Sequence, residues 1–171
     1  MDKKTLAKDG LVSGLLVGAL FAAAEMVGSQ ILGASPVSPW RAFASTALGQ
    51  RALEQVPLAT ALPVGVVAHF VLSALYGVAY AFANRRLCAN ETRSSFSREA
   101  GLGLFFGLAL YVVNFQVFAR LIYPWFLGAN QVAQLIYHVF FFGLPLALLI
   151  TVLERKALGI RAPTAARSSS R

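Results

Sequence analysis

The chain has 171 residues, few enough for one domain. Hydrophobic residues make up 57% and charged residues 13%, about half the ~25% charged content of soluble domains. That balance excludes an ordinary soluble globule, a disordered chain and a coiled coil, and leaves an integral membrane protein. The single cysteine, Cys88, excludes a disulfide framework or a cysteine metal cluster within the chain.

Charges act as punctuation. Between Asp9 and Arg41 the only charged residue is Glu25, and Glu54 to Arg85 holds none. Glu99 to Arg120 and Arg120 to Glu154 are also free of charge. Each interval accommodates the roughly 20 apolar residues that a bilayer core requires. The predicted spans are Leu11–Leu32, Leu62–Asn84, Ala100–Ile122 and Gln131–Leu153. They must be helices, because four separate segments of this length cannot close a barrel. The expected fold is an all-α, four-helix, up-down bundle over residues 1–161, with a disordered cytoplasmic tail at 162–171. The first apolar stretch exceeds the 7–15 residues of a signal-peptide core, so it reads as a retained helix.

Twelve of the fifteen basic residues flank the spans on one side, and Arg41, Arg51 and Arg120 lie on the other. The positive-inside rule then places both termini in the cytoplasm. The net charge of +8 is accounted for by topology signals and phospholipid contact. It does not call for nucleic acid.

In the first outer loop, Ser38-Pro39 reads as an N-cap followed by the first helical position. Trp40, Phe43, Ala44, Ala47 and Leu48 recur at helical spacing. A short amphipathic helix on the outer membrane surface follows, either as a cover for the bundle or as a lid over a site. Leu87–Arg98 reads as a polar inner connector. Tyr123 to Ala129 reads as a tight outer turn with Tyr123 and Trp125 at headgroup level. Pro145 is expected to kink the fourth helix.

Polar groups within a span are costly and point to partners or function. Glu25, His69, Asn114 and His138 stand one in each span, on stripes of small or polar residues where helices approach closely. On the fourth helix the stripe is Gln131, Gln134, His138 and Phe141. Counted from the predicted outer boundaries, each of the four lies roughly 10 Å deep at 1.5 Å per residue, which suggests one polar layer. Glu25, His69 and His138 are candidate ligands for a divalent metal such as zinc or iron. Asn114, Arg41 and Arg120 are candidate supporting groups. The two histidines could instead clasp a b-type haem, which a neighbouring Glu25 disfavours, or the set could handle protons. Interhelical hydrogen bonding alone is the structural alternative, in an accessory subunit of a larger membrane complex or a homo-oligomer. Tyr76, Tyr80 and Tyr111 read as packing residues. No phosphate loop, dinucleotide fingerprint or nucleophile elbow is present, so no reaction is indicated.

The order of these residues carries a resemblance. Glu25 is followed by the loop Ser35-Pro-Val-Ser-Pro-Trp-Arg41. Then come His69-Phe-Val-Leu-Ser-Ala-Leu-Tyr-Gly77, Tyr111-Val-Val-Asn-Phe115, and Tyr137-His138 ahead of an aromatic run. The pattern resembles the YagU-type family of small bacterial inner-membrane proteins, across the four spans but not the loops. The resemblance implies a multi-pass inner-membrane protein and no particular reaction. It also implies histidine in that family at the position of Asn114, so the third helix here lacks a strong ligand.

The orientation has a direct check. In right-side-out membranes, Cys88 is expected to react with a membrane-permeant maleimide and to resist an impermeant one. Ready labelling by the impermeant reagent would reverse the topology.

Overall fold

The structure, a computed structural model, describes residues 2–87 and 96–157. The tail at 162–171, Cys88, and most of the Leu87–Arg98 connector lie outside the described residues. Within them, the chain is helical and has no strand. Helix α1 covers Lys3–Ile31, α2 Ser38–Leu48 and α3 Leu58–Leu87. Helix α4 covers Phe96–Leu121 and α5 Gln131–Lys156. The four long helices, α1, α3, α4 and α5, are apolar enough to cross a membrane, so the chain is an all-α multi-pass membrane protein. The long connection after α1 carries α2 and a 3-10 turn at Gln50–Leu53, and another 3-10 turn covers Pro124–Gly128.

Helix ends differ from the hydropathy reading for local reasons. Asp2 caps α1 by accepting the Thr5 N–H at 2.7 Å, so the helix starts eight residues before Leu11 and takes in its charged first turns. That hydrogen bond holds the Asp2 carboxyl below its ordinary range. Helix α3 starts at Leu58, four residues before the predicted boundary. Helix α2 begins at Ser38 itself, with Val37 at the N-cap and no capping side chain, which shifts the predicted cap by one residue.

Glycines set the packing. A Cβ on Gly14 would collide with the Ser73 carbonyl, and one on Gly77 with the Gly10 carbonyl and, at 2.6 Å, with Gly14 Cα. Helices α1 and α3 therefore meet backbone to backbone, the close approach that small residues permit between membrane helices. Gly103 and Gly107 do the same for α4 against the middle of α5, where added Cβ atoms would meet the carbonyls of Gly143 and His138. Gly65 receives α2, since its Cβ would meet the Trp40 carbonyl. The packing order is α3, α1, α5, α4. Although α3 and α4 are consecutive spans, they have no comparable packed face among the described residues. Residues of both helices line the cavity described below.

Two of the spans leave α geometry. Helix α4 is π-helical over Val112–Phe118 and α5 over Tyr137–Gly143. Each π segment inserts a five-residue step into the buried face: Leu110 to Phe115 in α4, and His138 to Gly143 in α5. On α5 Phe142, four residues after His138, is also in the core, and the predicted Phe141 is only half-buried. The α5 departure ends one residue before Leu144-Pro145, where proline has no N–H to offer the Phe141 carbonyl.

The glycine contacts are testable. Gly77→Val is expected to destabilise the protein in detergent by about 1–3 kcal/mol, the usual cost of overpacking. Gly101 faces open space, and Gly101→Ala should be neutral or stabilising by up to about 1 kcal/mol. Equal stability of Gly77→Val and wild type in chemical denaturation would contradict the packing described.

Candidate functional site

The four polar residues singled out in the spans converge. Glu25, His69 and His138 are buried at 5%, 5% and 7% exposure. Together with Asn114 they line one cavity of about 380 Å³, within the usual volume range of ligand pockets. Its remaining wall is mostly apolar, with Phe21, Leu110, Phe115 and Phe142 among the lining residues. Helix α2 contributes Ala42, Phe43 and Thr46. Of the two readings of α2, cover or lid, the position it occupies is that of a wall closing one end of the cavity.

A hydrogen-bonded sequence runs through the site. The Gln134 side-chain amide donates to Glu25 Oε1 at 2.8 Å. One turn along α5, His138 Nδ1 lies 2.8 Å from the Gln134 carbonyl. Because a carbonyl only accepts, Nδ1 carries the proton, and the uncharged ring has its lone pair on Nε2. Asn114 Nδ2 sits 3.4 Å from that Nε2 and is the donor. The Tyr76 hydroxyl donates to Asn114 Oδ1 at 2.9 Å. These contacts tie α1, α5, α4 and α3 in turn. They also supply partners to groups that have no water to turn to in the bilayer core.

His69 belongs to a separate arrangement. Its Nε2 donates to the Gly18 carbonyl at 2.9 Å, with Ser73 Oγ 3.5 Å away. Its ring is stacked between Phe43, at 4.2 Å between centroids, and Phe21, at 5.8 Å. Phe21 in turn meets the edge of His138 at 5.0 Å. Both imidazoles thus contact Phe21, and their carbonyl partners set opposite tautomers. His69 also meets α1 at Gly18, about two helical turns from Glu25. The single polar layer expected from span boundaries is thus a staircase, since α3 starts earlier than hydropathy alone indicates.

These positions bear on each expected role. Among the described residues, no three His, Cys, Asp or Glu side chains group closely enough to hold a metal ion. The donor set does not fit a shared zinc or iron: His69 Nε2 is bonded to the Gly18 carbonyl, His138 Nδ1 to the Gln134 carbonyl, and Glu25 Oε1 to the Gln134 amide. A bis-histidine haem fits no better, because His69 Nε2 is committed to a backbone carbonyl. Arg41 points elsewhere. Its guanidinium donates to the carbonyls of Ala52 and Val56 at 3.1 and 2.8 Å and fastens the segment that follows α2. Arg120 lies on the exposed surface, donating to Gln116 at 3.3 Å, and does not line the cavity. Neither arginine supports the site.

Sequence reasoning passed over three participants. Tyr76 packs against the core as expected, and its hydroxyl in addition bridges α3 to α4. Gln134 stood on the polar stripe of α5, one turn before His138, and that spacing was its available signal. Phe21 had none, being one apolar residue among many. Tyr123 and Trp125 were expected at headgroup level. Their polar atoms bond to α2: Trp125 Nε1 donates to Ser45 Oγ at 2.9 Å and Tyr123 to the Thr46 carbonyl at 3.4 Å.

No protein-family model matches the chain, and neither a curated protein nor a solved structure is significantly similar to it.

Proposed function

We propose that this chain is a membrane binding protein whose cavity receives a small, largely apolar organic ligand carrying one hydrogen-bonding group. The observation that carries this reading is the cavity itself: mostly apolar walls, with a few polar groups from four helices among its lining. A pocket of that composition orients a ligand through a few placed polar groups. The charge distribution supports a bacterial plasma membrane with both termini in the cytoplasm. The likeness to the YagU-type family agrees with that location.

A second reading is favoured by the bonds from Glu25 to Tyr76, which join all four spans. It makes the same residues structural, in a subunit without chemistry of its own, and each such bond contributes about 0.6 kcal/mol in membrane proteins. Proton handling between Glu25 and His138 would use the same sequence of contacts.

Solvent extraction and mass spectrometry of protein purified in mild detergent separates these readings. A ligand-binding role is expected to give a co-purifying organic molecule that is lost in Gln134→Leu and His138→Phe, with both variants still folded. An empty wild type, together with variants that lose only stability, would favour the structural role. Zinc or iron near one per chain, lost on His138→Phe, would contradict the misfit of the donor set.

A further inference from the structure

The cavity has an unused acceptor and a sideways opening. Gln134 Oε1 is buried and has no hydrogen-bond partner among the described residues, while the Nε2 of the same amide is committed to Glu25. A buried amide oxygen left unpaired is costly, and Gln134 lines the cavity. A ligand that satisfies it must bring an O–H or N–H donor.

The opening is equally specific. Of all the lining residues, only Val71, Leu72 and Phe118 belong to the exposed class, at 53%, 38% and 39%. Val71 and Leu72 are on α3 and Phe118 is on α4, two consecutive spans without a close backbone approach among the described residues. The mouth is therefore apolar and lies within the spans, where the surroundings are hydrocarbon. Beside α2, the Trp125–Ser45 and Tyr123–Thr46 contacts hold the Pro124–Gly128 turn and its flank to that helix, and Phe43 and Phe126 line the cavity. Near this opening Tyr76 links α3 to Asn114 of α4, and further along the same two helices Tyr80 meets Phe106 at 5.0 Å between ring centroids.

We infer that the ligand is a bilayer amphiphile, a long-chain molecule with a hydroxyl-type donor head, which enters sideways between α3 and α4 and donates to Gln134 Oε1. The inference rests on the cavity-binding reading above and adds the ligand's chemistry and its route. An alkyl chain suits the apolar walls, and an uncharged head avoids the cost of carrying a charge through hydrocarbon. A ligand with acceptors alone would leave Gln134 Oε1 unsatisfied.

The test uses the full chain in phosphatidylcholine vesicles with a decanol analogue bearing a diazirine at the chain end. After irradiation, adducts are mapped by peptide mass spectrometry, with decanol and decyl methyl ether as competitors. The expected adducts fall on Phe43, Leu110 and Phe118. Decanol should compete about tenfold better than the ether, the factor contributed by one ordinary buried hydrogen bond. Gln134→Leu should abolish that difference, and Leu72→Trp, which fills the mouth, should slow labelling. Equal competition by the two compounds in wild type would overturn the donor head and leave cavity binding standing. Labelling unchanged in Leu72→Trp but accelerated in Trp125→Ala would overturn the lateral route. Adducts confined to outward residues such as Leu16 and Phe105, which no competitor displaces, would overturn this inference and the binding reading together.

Discussion

The bilayer core offers no hydrogen bonds, and that constraint organises the interior of this protein. Each polar side chain placed in a span must find its partner within the protein or pay several kcal/mol. Glu25, His138, Asn114 and Tyr76 meet the requirement in sequence, through Gln134, across four helices. His69 meets it through the backbone of α1 at Gly18, a glycine that leaves room for the Ser73 side chain one turn along α3. A Cβ at Gly18 would lie 2.6 Å from Ser73 Oγ and 3.5 Å from His69 Nε2. The glycine stripe and the polar groups thus depend on one another: close backbone approach is what brings a carbonyl within reach of the histidine.

The two π segments are the second organising feature. A single-turn departure from α geometry is frequently found at functional sites. Here both departures flank the cavity, and they hold Asn114 and His138. Beyond each of them the buried face continues in a new register, through Ala119 in α4 and through Leu146, Ala147 and Ile150 in α5. The extra residue lets one helix pack continuously against its neighbours while it turns a polar side chain toward the cavity. Helices α3 and α4 meet through side chains such as Tyr80 and Phe106 without close backbone approach, and α2 and the Pro124–Gly128 turn contribute further walls of the cavity.

Much of this architecture was legible in the order of the residues. The four spans follow from charge-free intervals, and burial of Glu25, His69 and His138 follows from the stripes they occupy. Depth was not legible, because hydropathy does not mark where α3 begins: the residues from Leu58 to Ala61 precede the predicted start yet are already helical. Register beyond Leu110 and His138 was hidden as well, since a π turn arises from tertiary packing and leaves no periodic signature. Arg41 illustrates a different limit. A cation beside a predicted polar site invites a functional reading, but its fork of donors was matched by two loop carbonyls that only the folded connection brings together. The roles of Tyr76 and Phe21 depend on contacts between spans and were invisible for the same reason.

The central claim is that the two histidines occupy distinct, oppositely oriented hydrogen-bonding environments around one cavity. Solid-state nitrogen NMR of histidine-labelled protein in lipid bilayers, assigned with His69→Gln and His138→Gln, tests it most directly. The account predicts two resolved neutral imidazoles of opposite tautomer, with the proton on Nε2 in His69 and on Nδ1 in His138. Two rings of the same tautomer, or rings whose protons exchange freely with water, would contradict it.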